Sequence, residues 1–318
     1  MRAPARPKRV ELTTSDRAHL WKEVSNARIP WRTSGRVSAT DLRRLVQCPL
    51  SAWYGATAPF ETAAPTLGLA IGEIVHASRA DLSRSARARF LRAKSPEDLW
   101  SPSIEALNRD LIGQNFDRHV FINAFGTQAA EARLAYTTLL LAMERQRAAR
   151  GADLLAAESA GANLADQLVP IEVEVPVYDE NRDLAGICDE VWRDGENIIP
   201  VELKTSPPSK EHQLANRVQA ATYGSLFTAA SGQKVLQCRV HYLTEGVEDS
   251  FEFNRSWERR ITHLVSEVRA IRVAPRPPKG RPSPSICGYC SFQAVCPESQ
   301  APSLMDSMVS LLPSEAPT

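Results

Sequence analysis

The chain has 318 residues, 43% hydrophobic and 24% charged, with a formal net charge of +1 at pH 7. This length can bury a sizeable core in one large domain or two small ones, and the near-neutral balance excludes a polycation, so nucleic-acid binding would have to rest on local patches. No apolar run reaches membrane-spanning length and no hydrophobic signal core follows the basic, Pro-rich start, so the expectation is no membrane contact, a cytoplasmic location and six cysteines that are thiols or metal ligands.

Residues 1–35 are polar and mixed and read as an N-terminal arm. From Ser38 the text S-A-T-D-L-R-R-L-V-Q-C-P predicts a short helix capped by Ser38 or Thr40. It carries Leu42, Leu45 and Val46 on one face and ends before Cys48-Pro49. Residues 66–92 read as a helix burying Leu67, Leu69, Ile71, Ile74 and Val75, with His76 on the same stretch. Helical patterning continues through 97–165, best at 128–149, where Leu134, Leu139, Leu140, Leu141 and Met143 form an apolar stripe.

The period then changes. I-E-V-E-V-P-V at 171–177 alternates with period two and predicts a strand, with Glu172 and Glu174 structural or facing solvent. Residues 184–193 and 198–205 read as two more strands, and 236–243 with 247–253 as a final hairpin. Helices are expected at 212–230 and 256–272, then a Pro- and Arg-rich linker at 275–285 and a tail at 298–318. Two stretches are basic. Arg79, Arg84, Arg87, Arg89, Arg92 and Lys94 share theirs with only Asp81, and 269–281 contains no acidic residue. Each is a solvated face or a phosphate-binding patch.

Asp194-Gly195-Glu196-Asn197 reads as a two-residue hairpin turn with Gly at the first central position. Counting outward, Asp189 and Glu202 would face each other across the pair with Cα atoms about 4.5–5.5 Å apart. Lys204 would share the face of Glu202. Two carboxylates so close repel unless a cation lies between them. A hard ion such as Mg²⁺ or Mn²⁺ would resolve the conflict, and Lys204 could orient water or stabilise a phosphoryl transition state. A solvated hairpin whose clash Lys204 relieves is the other reading.

Cysteines provide a second constellation. Cys48 stands alone before Pro49, whereas Cys287, Cys290 and Cys296 are spaced C-x₂-C-x₅-C before Pro297. Four thiols divided in this way can share a metal centre only if the two ends of the segment meet. Zinc and iron–sulfur both accept four thiolates. Cys188 and Cys238 lie in strand patterns and read as small core residues.

Taken together, D-E-V-W…I-I-P-V-E-L-K-T, S-A-T-D-L-R-R-L-V-Q-C-P-L-S-A-W-Y, G-L-A-I-G-E-I-V-H, Q-A-A-T-Y and C-G-Y-C-S-F-Q-A-V-C-P stand in an order that resembles the PD-(D/E)XK nuclease superfamily. The similarity is to its RecB/AddB-like branch with a C-terminal iron–sulfur cluster, related to the CRISPR-associated exonucleases, and it covers residues 36–297. The resemblance implies an α/β, restriction-endonuclease-like fold with a mixed central sheet flanked by helices. It also implies a helical insertion at about 85–165 and an iron–sulfur staple joining the two ends. Asp189 and Glu202 would be ligands of Mg or Mn, with the Leu203 carbonyl and His76 completing the set, and Lys204 the catalytic lysine. Gln219 and Tyr223 would position the DNA strand or that lysine. Cys48, Cys287, Cys290 and Cys296 would hold a 4Fe–4S cluster in preference to zinc.

The expected activity is a metal-dependent exonuclease on single-stranded DNA ends, serving recombination, repair or defence. Alternatives are a CRISPR adaptation nuclease that trims DNA before integration and a non-catalytic DNA-binding subunit of a helicase–nuclease complex. The chain carries no G-x-x-x-x-G-K-[ST] phosphate-binding motif, so it would act alone or borrow a helicase or integrase partner. The basic 79–94 stretch is the expected guide for single-stranded DNA.

Overall fold

The computed structural model describes residues 36–57, 66–157, 164–232, 235–293 and 296–300. The expected arm at 1–35 and all but the first residues of the tail at 298–318 lie outside them.

Strand β1 (Val37–Ser38) leads directly into helix α1 (Ala39–Gln47). Ser38 caps that helix and forms a capping box with Asp41, satisfying two otherwise orphaned N–H groups. Helices α2 (Pro49–Thr57) and α3 (Leu67–Phe90) follow, the latter capped by Thr66. Next come α4 (Pro96–Leu99), α5 (Pro102–Arg118), a 3₁₀ turn at Ile122–Phe125, α6 (Thr127–Ala156) and α7 (Leu164–Leu168). The sheet then forms from β2 (Glu172–Asp179), β3 (Leu184–Asp194) and β4 (Asn197–Lys204). After α8 (Lys210–Ser231) come β5 (Gln237–Tyr242), β6 (Val247–Glu252), α9 (Arg255–Arg272) and α10 (Pro284–Gly288).

Six strands make one mixed sheet in the order β1-β3-β4-β5-β6, with β2 also paired to β3. Pairing is parallel for β1–β3 and β4–β5 and antiparallel elsewhere, and α8 is the crossover that the parallel β4–β5 step requires. One face carries a core of α1, α8 and α9 residues, among them Leu42, Val218, Tyr223 and Ile261. The other carries α3, α5 and α6 residues, among them Ile71, Ile112 and Tyr136. This mixed α/β architecture, a six-stranded sheet flanked by helices, matches the expected restriction-endonuclease-like fold.

The hairpin closes as counted. Gly195 takes a φ of +59°, which a Cβ would disfavour, and the ladder runs from Asp194↔Asn197 to Glu190↔Val201. It stops there, one step short of an Asp189↔Glu202 pair. β1 pairs with β3 only at Leu184 and Ala185, so between Ala185 and Glu190 that edge of β3 carries no strand partner. The sheet splits at this gap. Strict alternation would put Cys188 and Glu190 on one face, yet Cys188 packs in the α8-side core and Glu190 reaches Arg79 of α3. The change of face falls at Asp189. Opposite it in the β2 register stands Glu174, whose φ is +53°.

Two expectations about α3 and α6 are corrected. Leu134 of the supposed apolar stripe is 72% exposed; the buried face of α6 runs instead through Ala132, Tyr136, Leu140, Glu144 and Arg147. Apolar spacing could not show this, because the inward face includes two charged residues. Part of the 79–94 stretch is not free either, although Arg92 and Lys94 are exposed. Arg79 is buried and bonds Glu190 at 2.8 Å and Glu144 at 3.1 Å, and Arg147 meets Glu144 at 2.9 Å. Arg84 pairs with Asp81 and Arg87 with Asp166. The Arg79–Glu144–Arg147–Glu190 group balances two cations against two anions and ties α3 and α6 to β3. Arg79→Ala would leave two buried carboxylates short of a counter-charge, a loss of about 3–5 kcal/mol. Urea denaturation should show it as an earlier midpoint, and an unchanged midpoint would contradict this account of the network.

Candidate active site

A cleft of about 720 Å³ opens where the sheet splits, walled by α1, α3 and α8 and floored by the ends of β2, β3 and β4. His76, Glu174 and Lys204 line it, and Asp189 and Glu202 lie behind them, 8% and 2% exposed. Asp189 is held at both oxygens. Oδ2 accepts the Leu203 N–H at 2.7 Å, and Oδ1 accepts from His76 Nδ1 at 3.1 Å. The first bond substitutes for the strand pairing that β3 abandons here, so the carboxylate is aimed by the same split that opens the cleft.

His76 projects from α3, three residues ahead of Arg79, and Arg79 anchors that part of the helix to Glu190 beside Asp189. Burial disfavours the imidazolium, but the Asp189 carboxylate outweighs it and raises the His76 pKa to about 9. Glu174 completes the group. Ligand atoms of His76, Glu174 and Asp189 all lie within 4.8 Å of one another, the one such set of three or more among the described residues. The sequence makes Glu174 structural or solvent-facing; the structure places it half-buried against His76 and Asp189. Its positive φ turns the side chain out of strict alternation, and no sequence pattern marks such a backbone state in a non-glycine residue. Glu172 is exposed, as expected.

Lys204 follows Glu202 on the same face of β4 and bonds its Oε1. The lysine also donates to Gln219 Oε1 at 3.1 Å, while Gln219 Nε2 donates to the Tyr223 hydroxyl at 3.1 Å. Gln219 and Tyr223 are one turn apart on α8, and both are buried. Of the two roles expected for them, contact with the lysine is the one the geometry provides. Tyr223 fits because Gly186 leaves room: a Cβ there would come within 2.8 Å of the ring.

The charge balance of this site points to a cation. Burial and the neighbouring Asp189 carboxylate raise the pKa of Glu174 to about 7, and the same two causes raise that of Glu202. Glu202 Oε2 is buried with no hydrogen-bond partner. His76, Glu174 and Asp189, with the orphaned Glu202 oxygen nearby, are side chains that would fit a divalent metal, which would displace the His76 proton and take over its role as counter-charge.

The cysteines gather elsewhere. Cys48, Cys287, Cys290 and Cys296 all line a second cavity between α1–α2 and the C-terminal segment, so the two ends do meet. Arg281 N–H donates to Cys48 Sγ at 3.4 Å, and Cys290 Sγ lies 3.7 Å from Ser51 Oγ. No three of the four sulfurs come within 4.8 Å of one another. Cys188 and Cys238 are fully buried core residues, as expected.

A mixed sheet split above buried carboxylates and a lysine, D…E-x-K in sequence, is the arrangement of a nuclease. The chain belongs to the PD-(D/E)XK nuclease superfamily, whose family description matches residues 36–297. No curated protein matches the sequence. A solved structure described as "Crystal structure of SSO0001" is similar over 68% of this chain and 94% of its own, at 17% identity and a TM-score of 0.27, a likeness too slight to bear on fold or function.

If Glu174 belongs to the metal set, Glu174→Gln should weaken Mn²⁺ binding by about tenfold or more through the lost ligand charge, while Glu172→Gln leaves it unchanged. Calorimetric titration compares the two, and equal affinities would return Glu174 to a structural role.

Proposed function

We propose that this chain is a Mg²⁺- or Mn²⁺-dependent deoxyribonuclease, an exonuclease acting on single-stranded DNA ends. The observation that carries the reading is the buried donor set of His76, Glu174, Asp189 and Glu202 with Lys204 beside it. A divalent ion, when bound, polarises a phosphoryl oxygen and lowers the pKa of a bound water. The remaining work belongs to the chain. Leu203 N–H and His76 hold Asp189 in one orientation, and the Leu203 carbonyl is the proposed further ligand. Gln219, itself held by Tyr223, keeps the Lys204 ammonium at the cleft wall where negative charge grows as a phosphodiester is attacked. Burial of these groups strengthens each interaction by excluding water. The helices between His76 and β2 form the proposed insertion at about 85–165, a second wall along which a single strand can lie. With no helicase motif in the chain, a helicase or integrase is the proposed partner class.

The cysteine cavity is proposed to hold a 4Fe–4S cluster. A tetrahedral zinc with Zn–S bonds of about 2.3 Å needs sulfurs about 3.8 Å apart. The wider spread of the four sulfurs suits a larger cluster better. Its role is to join the ends around the nuclease core, so losing Cys48 acts on stability before chemistry.

Two experiments test these readings. Glu202→Ala and Lys204→Ala should lower cleavage of end-labelled single strands by about 10²- to 10³-fold or more, with strand binding largely kept. Parental cleavage by either variant would remove the site assignment, and cleavage of circular single strands would remove the exonuclease assignment. Protein purified without oxygen should be brown and carry about four irons per chain, the content of one 4Fe–4S cluster. A colourless protein with one zinc per chain would reverse the cluster assignment.

A further inference from the structure

The wall between the two cavities contains a cation that the proposed chemistry does not use. Arg43 of α1 lines both the active-site cleft and the cysteine cavity and is half-buried. Arg79, Arg147, Arg182 and Arg272 each meet a carboxylate. Among the described residues Arg43 meets none within 4.0 Å, and its one hydrogen bond is to the neutral Oε1 of Gln47 at 3.2 Å. Arg89 shares this lack but lies outside the lining of the cleft. Burial and the adjacent Arg44 both disfavour the Arg43 charge, while Glu202 and Tyr223 are near enough to favour it. A guanidinium withdrawn from water without a counter-ion is costly unless an anion arrives.

The neighbours of Arg43 extend the same pattern. A guanidinium only donates, so Gln47 must turn Oε1 towards Arg43 and Nε2 away. Nε2 then donates to His212 Nδ1 at 2.7 Å, which places the ring proton of His212 on Nε2. Burial and Arg43 lower the His212 pKa, so the ring is neutral at neutral pH. Its Nε2–H is buried without a partner; the Ser285 main chain favours the ring's proton but does not meet Nε2 at hydrogen-bonding geometry. His212 lines the same cleft as Lys204 and Gln219. One wall of the cleft therefore offers a guanidinium with no carboxylate of its own, set in place through Gln47 by the His212 ring, whose own Nε2–H is shielded from the cleft.

We propose that Arg43, held through Gln47 by His212, forms a second phosphate subsite that holds the phosphodiester next to the reacting one along a single strand. The proposal rests on the nuclease reading of the cleft. A phosphate there gives Arg43 its counter-ion and sets where the strand lies relative to Lys204. Arg43 is a binding residue for substrate in this scheme, and Gln47 and His212 are positioning residues.

The test is equilibrium binding of a fluorescently labelled single strand to the full chain in EDTA, where no cleavage occurs, across a salt series. Arg43→Gln should weaken binding about tenfold and lower the slope of log affinity against log salt by about 0.7, the share of one phosphate contact to a single strand. His212→Gln should weaken binding several-fold and leave the slope unchanged, because His212 acts through Gln47 and meets no phosphate itself. Should Arg43→Gln fail to fold by its melting curve, Arg43→Lys carries the test, with parental slope but weaker affinity because an ammonium lacks the guanidinium fork. Parental affinity and slope in Arg43→Gln, or parental affinity in Arg43→Lys and His212→Gln together, would overturn the subsite. Cleavage by the parent protein with Mg²⁺ is measured alongside. If the parent neither cuts nor binds single strands, the nuclease reading fails with the subsite; if it cuts while the variants bind like the parent, the subsite alone fails.

Discussion

Strand β3 is shared between partners that do not meet. β1 takes its first two residues, β4 its last five, and the edge between is left open. An unpaired backbone edge inside a domain needs other partners for its polar groups. Here one of them is a side chain, since Asp189 accepts the N–H of Leu203 across the opening. Everything else about the cleft follows from that split. It gives Tyr223 the space over Gly186, lets His76 approach from α3, and leaves Lys204, paired to β5 on one side only, lining the cleft.

Buried charge is handled in two opposite ways on either side of Asp189. Next to it, Glu190 joins Arg79, Glu144 and Arg147 in a group whose charges cancel. Such a group costs desolvation energy, but it fixes α3 and α6 against the sheet at a defined height. Around Asp189 the pairing is incomplete. His76 meets Asp189 and Lys204 meets Glu202, but Glu174 crowds His76 and Asp189 with no ion pair of its own among the described residues, and Glu202 keeps an oxygen with no partner. Neutralised charge holds the helices in place; unneutralised charge makes the adjacent site receptive to a cation. Arg43 is the cationic counterpart in the same cleft, a guanidinium with no carboxylate partner.

Much of this was readable one residue at a time. Strand and helix boundaries followed from period and turn residues: Ser38 at the start of the first helix and Gly195 at a two-residue turn are local signals, each satisfied within a few residues. The turn set the register, and counting from it placed Asp189 and Glu202 close together. It could not show that the ladder would end at Glu190, because the competing partner, β1, lies almost 150 residues upstream. Leu134 and Arg79 were misread for one reason: apolar periodicity assumes that charge faces water, and here two arginines and two glutamates face inward together. Glu174 was missed because a positive φ in a non-glycine residue is imposed by its surroundings.

The sequence by itself determined the element order, the hairpin turn, the D…E-x-K residues and the separation of one cysteine from three. These depend on short-range sterics, periodicity and chemical identity, which are properties of neighbours along the chain. The tertiary structure alone decided which groups share a space. It brought Glu174 to His76 and Asp189, buried the 79–94 arginine as a structural ion, set Tyr223 behind the lysine, and gathered Cys48 with Cys287, Cys290 and Cys296 in one cavity. Those outcomes depend on where the sheet splits and which helix covers each face, and these are settled only when burial and charge pairing are satisfied over the whole domain.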